Sequence, residues 1–357
     1  MMLKRAKILP SQSAHHAREL LQFLGQRRQT LSPLLILTHD FPDPDAIASA
    51  LALQHLAQSE FGIESNIAYG GIIGRMENRA MVRTLRIHMH RFHPILLKRH
   101  ASVALVDTQP AFKNNPFPGN RKAALILDQH PSDTPPAAEL AIVDPECDAT
   151  CVLVAQALLQ TGTEIPARVA TALAYGILTD TLDLYRAKRP DVVQTYLAVL
   201  HHCDMRALAR IQNPVRSRKF FTTLGTAIRD ASMQRSRLVA HLGQVESPDL
   251  IAQVADFLLA YRQAAWCLIT GRFKGSLHTS LRTTSLDVQA GEVLRDAFQN
   301  PRLAGGHGAI ASGSCRLGQQ ASEENWRQKE TELQNRVARR CASRPGSNGT
   351  ARSSLNP

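Results

Sequence analysis

Carboxylates and imidazoles that follow short apolar runs are concentrated in the first half of the chain. His39, Asp43 and Asp45 follow LLILT (34–38), Asp107 follows ASVALV (101–106), and Asp128-Gln129-His130 follows AALIL (123–127). Asp180 stands in GILTDT (176–181). Carboxylates gathered in one place repel one another and lose hydration, and a divalent cation removes both penalties. Mixed carboxylate and imidazole donors suit manganese, magnesium or iron better than a closed structural zinc site. Two such ions, roughly 3.5–4 Å apart, can clamp a phosphoryl group and activate water for in-line attack. The spacing Asp43-x-Asp45 lets neighbouring carboxylates serve different ions. One Asp after a strand is ordinarily a helix cap or turn former. Four such groups, with His39 and His130 among them, argue for chemistry.

These groups can meet only if the elements that carry them are layered in one particular way. The apolar runs at 34–38, 101–106, 123–127 and 140–144 read as strands, and AIASALALQHLAQ, 150–160 and 167–181 read as helices. Strands alternating with helices predict an α/β fold with a doubly wound parallel sheet over residues 33–186. Such a sheet places ligands at the carboxyl ends of its strands. The first three groups would converge there, and Asp180 would arrive from a helix. An N-terminal helical segment (1–32) precedes this domain, and a helical, polar and basic connector (187–235) follows it. Alternation resumes in RLVAHLGQV, PDLIAQVADFLLAYRQ, AAWCLITGRF and GSLHTSLRTTS, which predicts a second, smaller α/β domain over 236–320. GGHGAIASGSCRL reads as a Gly-rich turn entering a strand, and 321–357 as a short polar helix with a disordered basic tail.

Composition narrows the classes. The chain has 357 residues, 44% hydrophobic and 20% charged, as a globular protein of two domains would. No apolar stretch of about 18 residues occurs and no apolar core follows the first charges, so neither a membrane helix nor a secretory signal is expected and a cytoplasmic location is. Six cysteines in such a length do not suggest a disulfide scaffold, and Cys147 and Cys151 read as packing residues. The formal charge of +12 favours polyanionic partners such as nucleotides or nucleic acid. Aromatic residues are only 5% of the chain, which argues against an extended single-strand stacking platform and for short substrates. The stretch 74–100 is basic and His-rich with Glu77 as its only acid. Its Arg residues recur at helical spacing, as on a solvated helix face or an electrostatic funnel.

With these residues in view, THDFPDPDAIASALAL (38–53) resembles the first motif of the DHH phosphoesterases and VDTQP (106–110) the second. LDQHP (127–131) sits where the Asp-His-His triplet of that family belongs, and GILTDT resembles the fourth motif. GGHGAIASG (305–313) is similar to the Gly-Gly-His motif of the associated DHHA1 domain. The order and spacing agree over roughly residues 33–318, nearest to the nano-RNase and phosphoadenosine-phosphate phosphatase type related to RecJ exonucleases. The resemblance implies one or two manganese or magnesium ions per chain. His39, Asp43, Asp107 and Asp180 would hold one; Asp45, Asp107, Asp180 and the middle residue of the triplet would hold the other. That middle residue is Gln129 where the family has His, and an amide oxygen is the weaker ligand. His130 would contact substrate or act as an acid, and Asp128 would orient its neighbours. Gly305 and Gly306 would let backbone approach a phosphate, with His307 and Arg282 supplying charged hydrogen bonds. Asn114 and Asn115 would line the cleft or form a plain loop.

The expected activity is hydrolysis of short RNA or DNA oligonucleotides, nucleoside bisphosphates or linear dinucleotides. Gln129 keeps a second reading open, a nucleotide-binding or regulatory protein without turnover, and a pyrophosphatase or polyphosphatase is a third. A symmetric homodimer is common among soluble proteins, but nothing in the sequence demonstrates one.

Overall fold

A computed structural model of the chain describes residues 12–285, 289–300, 303–307 and 309–342. It divides into two compact units, 1–214 and 215–357.

In the first unit helix α1 (Gln12–Leu31) precedes a run of alternating elements: β1 (Leu34–Leu37), α2 (Pro44–Phe61), β2 (Ser65–Tyr69), α3 (Met76–Thr84), β3 (Met89–Arg91), α4 (Leu96–Arg99), β4 (Ser102–Val106), β5 (Ala123–Asp128), β6 (Ala138–Val143), α5 (Thr150–Thr161), α6 (Ala167–Asp180), α7 (Pro190–Leu200) and α8 (Met205–Gln212). The six strands form one sheet in the order β3-β2-β1-β4-β5-β6. All its pairings are parallel. Leu34 and Ile36 of β1 join the core on one face, and Leu35 and Leu37 join the core on the other. A strand buried on both faces must be apolar throughout, which is why LLIL shows no alternation. The chain order reverses between β1 and β4, so their carboxyl ends lie side by side at the switch point of the sheet. Helix α2 starts where Asp43 Oδ1 accepts from Ala46 N (3.0 Å) and Pro44 opens the first turn. It packs against α5 and α6.

The second unit holds α9 (Arg218–Asp230), β7 (Ser232–Gln234), β8 (Arg237–Gln244), α10 (Pro248–Leu258), β9 (Trp266–Phe273), β10 (Ser276–Thr283), α11 (Ala290–Phe298), β11 (Ala304–His307), β12 (Ile310–Arg316) and α12 (Glu323–Ala342). Its sheet runs β11-β12-β10-β9-β8-β7. Among the described residues only β8 and β9, joined through α10, pair in parallel. The α/β architecture expected from the sequence is therefore present in both units.

Four expectations need correction. The stretch 74–100, read from its Arg spacing as a solvated helix face or an electrostatic funnel, is helical only over Met76–Thr84 and Leu96–Arg99. Leu85 and a left-handed Arg86 (φ 50°) close α3, and the chain then pairs with β2 as the edge strand β3. The helical stretch expected as a connector is shared between the units. Val192, Val199, Leu208 and Ile211 bury an apolar face in the first core, whereas Phe220, Leu224 and Ala227 bury one in the second. Gly305 and Gly306 lie within edge strand β11 rather than in a turn. The polar C-terminal helix is 20 residues long and amphipathic. Trp326, Glu330, Leu333 and Val337 recur at helical spacing and are buried on one side.

Candidate active site

The loop after β1 and the loop after β4 supply the centre of the site. His39 is nearly buried, and its Nδ1 lies 2.8 Å from Asp40 O. A proton on Nδ1 donated to that carbonyl leaves Nε2 as the inward-facing nitrogen. Nε2 is 3.7 Å from Asp43 Oδ1 and 3.5 Å from Asp107 Oδ2. Asp107 itself adopts the left-handed region (φ 58°), with its amide donating to Leu127 O at 2.8 Å. That conformation costs a residue with a Cβ about 1–3 kcal/mol and is characteristic of functional positions. It is held further by Thr150 Oγ1, which donates to Asp107 Oδ1 at 2.8 Å.

The loop after β5 supplies the other flank. Asp128 is fully buried and accepts from His130 N (3.1 Å), while His130 Nδ1 lies 2.8 Å from its Oδ1. Gln109 Nε2 donates to Asp128 Oδ2 and to His130 O, both at 2.8 Å. His130 is thus oriented by a carboxylate and an amide while its ring stays half exposed. Its Nδ1 is also 3.6 Å from Asp107 Oδ1. Burial works against the charged imidazole, but the hydrogen bond to Asp128 and the charges of Asp107, Asp128 and Asp45 raise its pKa to about 9.

Among the described residues, two groups bring ligand atoms within 4.8 Å of one another: His39–Asp43–Asp107 and Asp107–Asp128–His130. Asp107 belongs to both. The remaining expected ligands are placed differently. Asp45 is fully buried, and its two oxygens accept from Thr150 N (2.7 Å) and Cys151 N (2.8 Å) at the start of α5. It serves there as a cap from a neighbouring helix. Asp180, at the end of α6, accepts from Gln129 Nε2 at 2.6 Å. Asn114 and Asn115 buttress the β4 loop: Asn114 Oδ1 accepts from Thr108 Oγ1, and Asn115 Nδ2 donates to Gln109 O.

The donor set fits a divalent cation. Burial and the charges of Asp107 and Asp43 hold Asp45 well above the ordinary carboxylate range. Burial and the charges of Asp45, Asp43 and Asp107 do the same to Asp180. Burial also raises Asp107, although His39 pulls it down. His39 is driven well above an ordinary imidazole: burial opposes its charge, but hydrogen bonds to Asp107 and Asp43 prevail. The two carboxylates thus favour the charged form of His39 between them. A cation there would bring more charge and leave Nε2 as a lone-pair donor.

In the second unit, the guanidinium expected to meet phosphate is otherwise engaged. Arg282 is buried, with Nε donating to Asp256 and Nη1 to Leu281 O (3.1 Å) and Ala311 O (3.2 Å). A side chain at Gly306 (φ 152°) would collide with Ile310 O and Ala311, so strand packing by itself demands glycine there. Gly305 is exposed on the same edge strand. The side chain of His307 lies outside the described residues. Sequence reading missed Thr150 and Gln109. The first is hidden because its partner is 43 residues away; the second stood inside VDTQP beside a more conspicuous acid.

Residues 33–177 match the DHH family, N-terminal domain. An uncharacterized protein of Methanocaldococcus jannaschii is 35% identical over 289 residues, covering 80% of this chain and 59% of its own length. The chain therefore spans about three fifths of that curated relative. The crystal structure of an exopolyphosphatase-related protein from Bacteroides fragilis shares the fold, with a TM-score of 0.68 at 15% identity over 91% of this chain and 97% of its own. The residues from His39 to Asp128 that build the centre all fall inside 33–177, the region that is similar to the N-terminal domain of the DHH family.

Proposed function

We propose that the protein is a metal-dependent phosphoesterase acting on short oligonucleotides, nucleoside bisphosphates or linear dinucleotides. The observation that carries this is the convergence of His39, Asp43 and Asp107 at the switch point of a parallel sheet, with carboxylates lifted by burial and mutual repulsion. Manganese or magnesium held by His39, Asp43 and Asp107 would neutralise developing phosphoryl charge and lower the pKa of water. The chain's own groups do the rest. Asp128 and Gln109 fix His130 with part of its ring toward solvent, where its proton can be given to a leaving oxygen or hydrogen-bonded to a phosphate. Thr150 and the Leu127 carbonyl hold Asp107 in its left-handed conformation. Asp45 ties the start of α5 to α2, so that Thr150 is presented to Asp107.

One observation favours a second reading. The Gln129 amide donates to Asp180 and so satisfies, without charge, a carboxylate that a second cation would otherwise serve. This supports a protein that binds one ion and turns over slowly, or binds nucleotide without turnover. The test is mononucleotide release from a short RNA dinucleotide with manganese, for the natural protein, Asp107→Ala and Gln129→His. Turnover by the natural protein that is lost in Asp107→Ala supports the hydrolase. Inertness of the natural protein, with activity gained in Gln129→His, supports the binding protein.

A further inference from the structure

The loop that carries His39 and Asp43 also carries Phe41, an aromatic residue 62% exposed. Its position is built rather than incidental. Phe41 adopts the left-handed region (φ 59°), unfavourable for a residue with a Cβ, and its amide donates to Gly70 O at 3.0 Å. The preceding amide, of Asp40, donates to Asn114 O at 2.6 Å. The ring lies over Gly71 (φ 67°), so closely that a Cβ there would stand 2.8 Å from ring carbons. Glycine at 71 thus leaves room for one edge of the ring, while the side chain as a whole stays largely exposed.

Further apolar side chains are exposed next to site residues. Ile72, 49% exposed, follows Gly71; Leu182 and Tyr185, 48% and 89% exposed, follow Asp180. Single exposed hydrophobics are unremarkable. Here each is within five residues of an acid of the site or of the glycine that seats Phe41. A bare polyphosphate has no use for exposed apolar side chains beside its site, whereas a nucleotide joins an anion to a flat apolar ring.

We infer that Phe41 is the stacking platform for the nucleobase of a nucleotide whose phosphate is held at the His39–Asp43–Asp107 centre. The assignment rests on the reading of that centre as a phosphate site. Phenylalanine offers no hydrogen-bonding group, so recognition is by ring area: purines bind better than pyrimidines, without finer base preference.

The test is calorimetric binding, with manganese present, of adenosine monophosphate, cytidine monophosphate and ribose 5-phosphate to the natural protein, Phe41→Ala and Phe41→Trp. The natural protein should bind the adenosine compound about tenfold tighter than ribose 5-phosphate, the lower range of base–aromatic stacking at 1.4 kcal/mol per tenfold. Phe41→Ala should remove that gap while leaving ribose 5-phosphate affinity within about twofold, and Phe41→Trp should keep or widen it. A gap that survives Phe41→Ala, or a loss shared equally by all three ligands, overturns the inference. Turnover is scored separately on the RNA dinucleotide. Absence of turnover with a Phe41-dependent gap sinks the hydrolase and leaves the platform standing; turnover with no such gap does the reverse.

Discussion

In the second unit half-buried Arg272 pairs with Glu330 and Glu323 and lies over the Trp326 ring, and Arg282 is buried against Asp256. In the first unit buried Asp45 and Asp107 lie close to half-buried Asp180, with His39 as the partner between Asp43 and Asp107. Arg272 meets Glu330 through two parallel hydrogen bonds of 3.1 Å, an arrangement that balances charge within the fold. The acidic centre is balanced only in part, and the imbalance appears as raised carboxylate pKa values. The difference teaches which unit stores free energy for a ligand. A fold with matched buried charges gains nothing from a cation, whereas one with converging carboxylates is stabilised by it.

The largest expected effect breaks the centre itself. Asp107→Ala, which removes the carboxylate shared by both ligand groups, should lower kcat/KM by about a thousandfold or more, roughly 4 kcal/mol of transition-state stabilisation. A loss under tenfold in steady-state hydrolysis would remove Asp107 from the mechanism. Glu330→Ala should then destabilise the second unit by about 3 kcal/mol, because the Arg272 side chain, only 12% exposed, would lose the carboxylate that takes two of its hydrogen bonds. Denaturant melts should show Arg272→Met combined with Glu330→Leu recovering most of that loss.

Metal sharpens the contrast at a slightly smaller scale. Manganese at about 100 times its dissociation constant should stabilise the first unit by ~2.7 kcal/mol, reversed by chelator. Amide hydrogen exchange should slow around β1 and β4 and remain unchanged around β9 and β10. Equal protection in both units would contradict the comparison. The smallest effect concerns pH. A carboxylate whose folded pKa is raised stabilises fully below its unfolded value near ~3.9 and loses that contribution as pH rises through the folded one. With chelator present, Asp180→Asn should therefore lose less stability than the natural protein as pH rises above about 4. Parallel stability–pH curves for the two proteins would show that Asp180 carries no such strain.

Much of this was legible in the sequence because it is local. Apolar runs of four to six residues ending in Asp or His mark strands of a covered parallel sheet, and chain order alone predicts that their ends meet. His39, Asp43, Asp107, Asp128 and His130 were found in that way. Asp45 and Asp180 were recognised as acids of the centre, but not by their hydrogen-bond partners. Arg282 was read as a phosphate ligand, because nothing near it in the chain announces Asp256.

The sequence by itself determined the two α/β units, the order of the strands' acidic ends and the chemical character of the centre, all properties of short-range pattern and composition. Only the tertiary structure decided how each polar group is satisfied: Asp45 by the first amides of α5, Asp180 by Gln129, Arg282 by Asp256 and the Leu281 and Ala311 carbonyls. It alone decided that Phe41 lies over Gly71 with its ring exposed. The reason is physical. A buried donor or acceptor takes whatever partner packing brings within about 3 Å, and that partner is set by contacts between elements far apart in the chain.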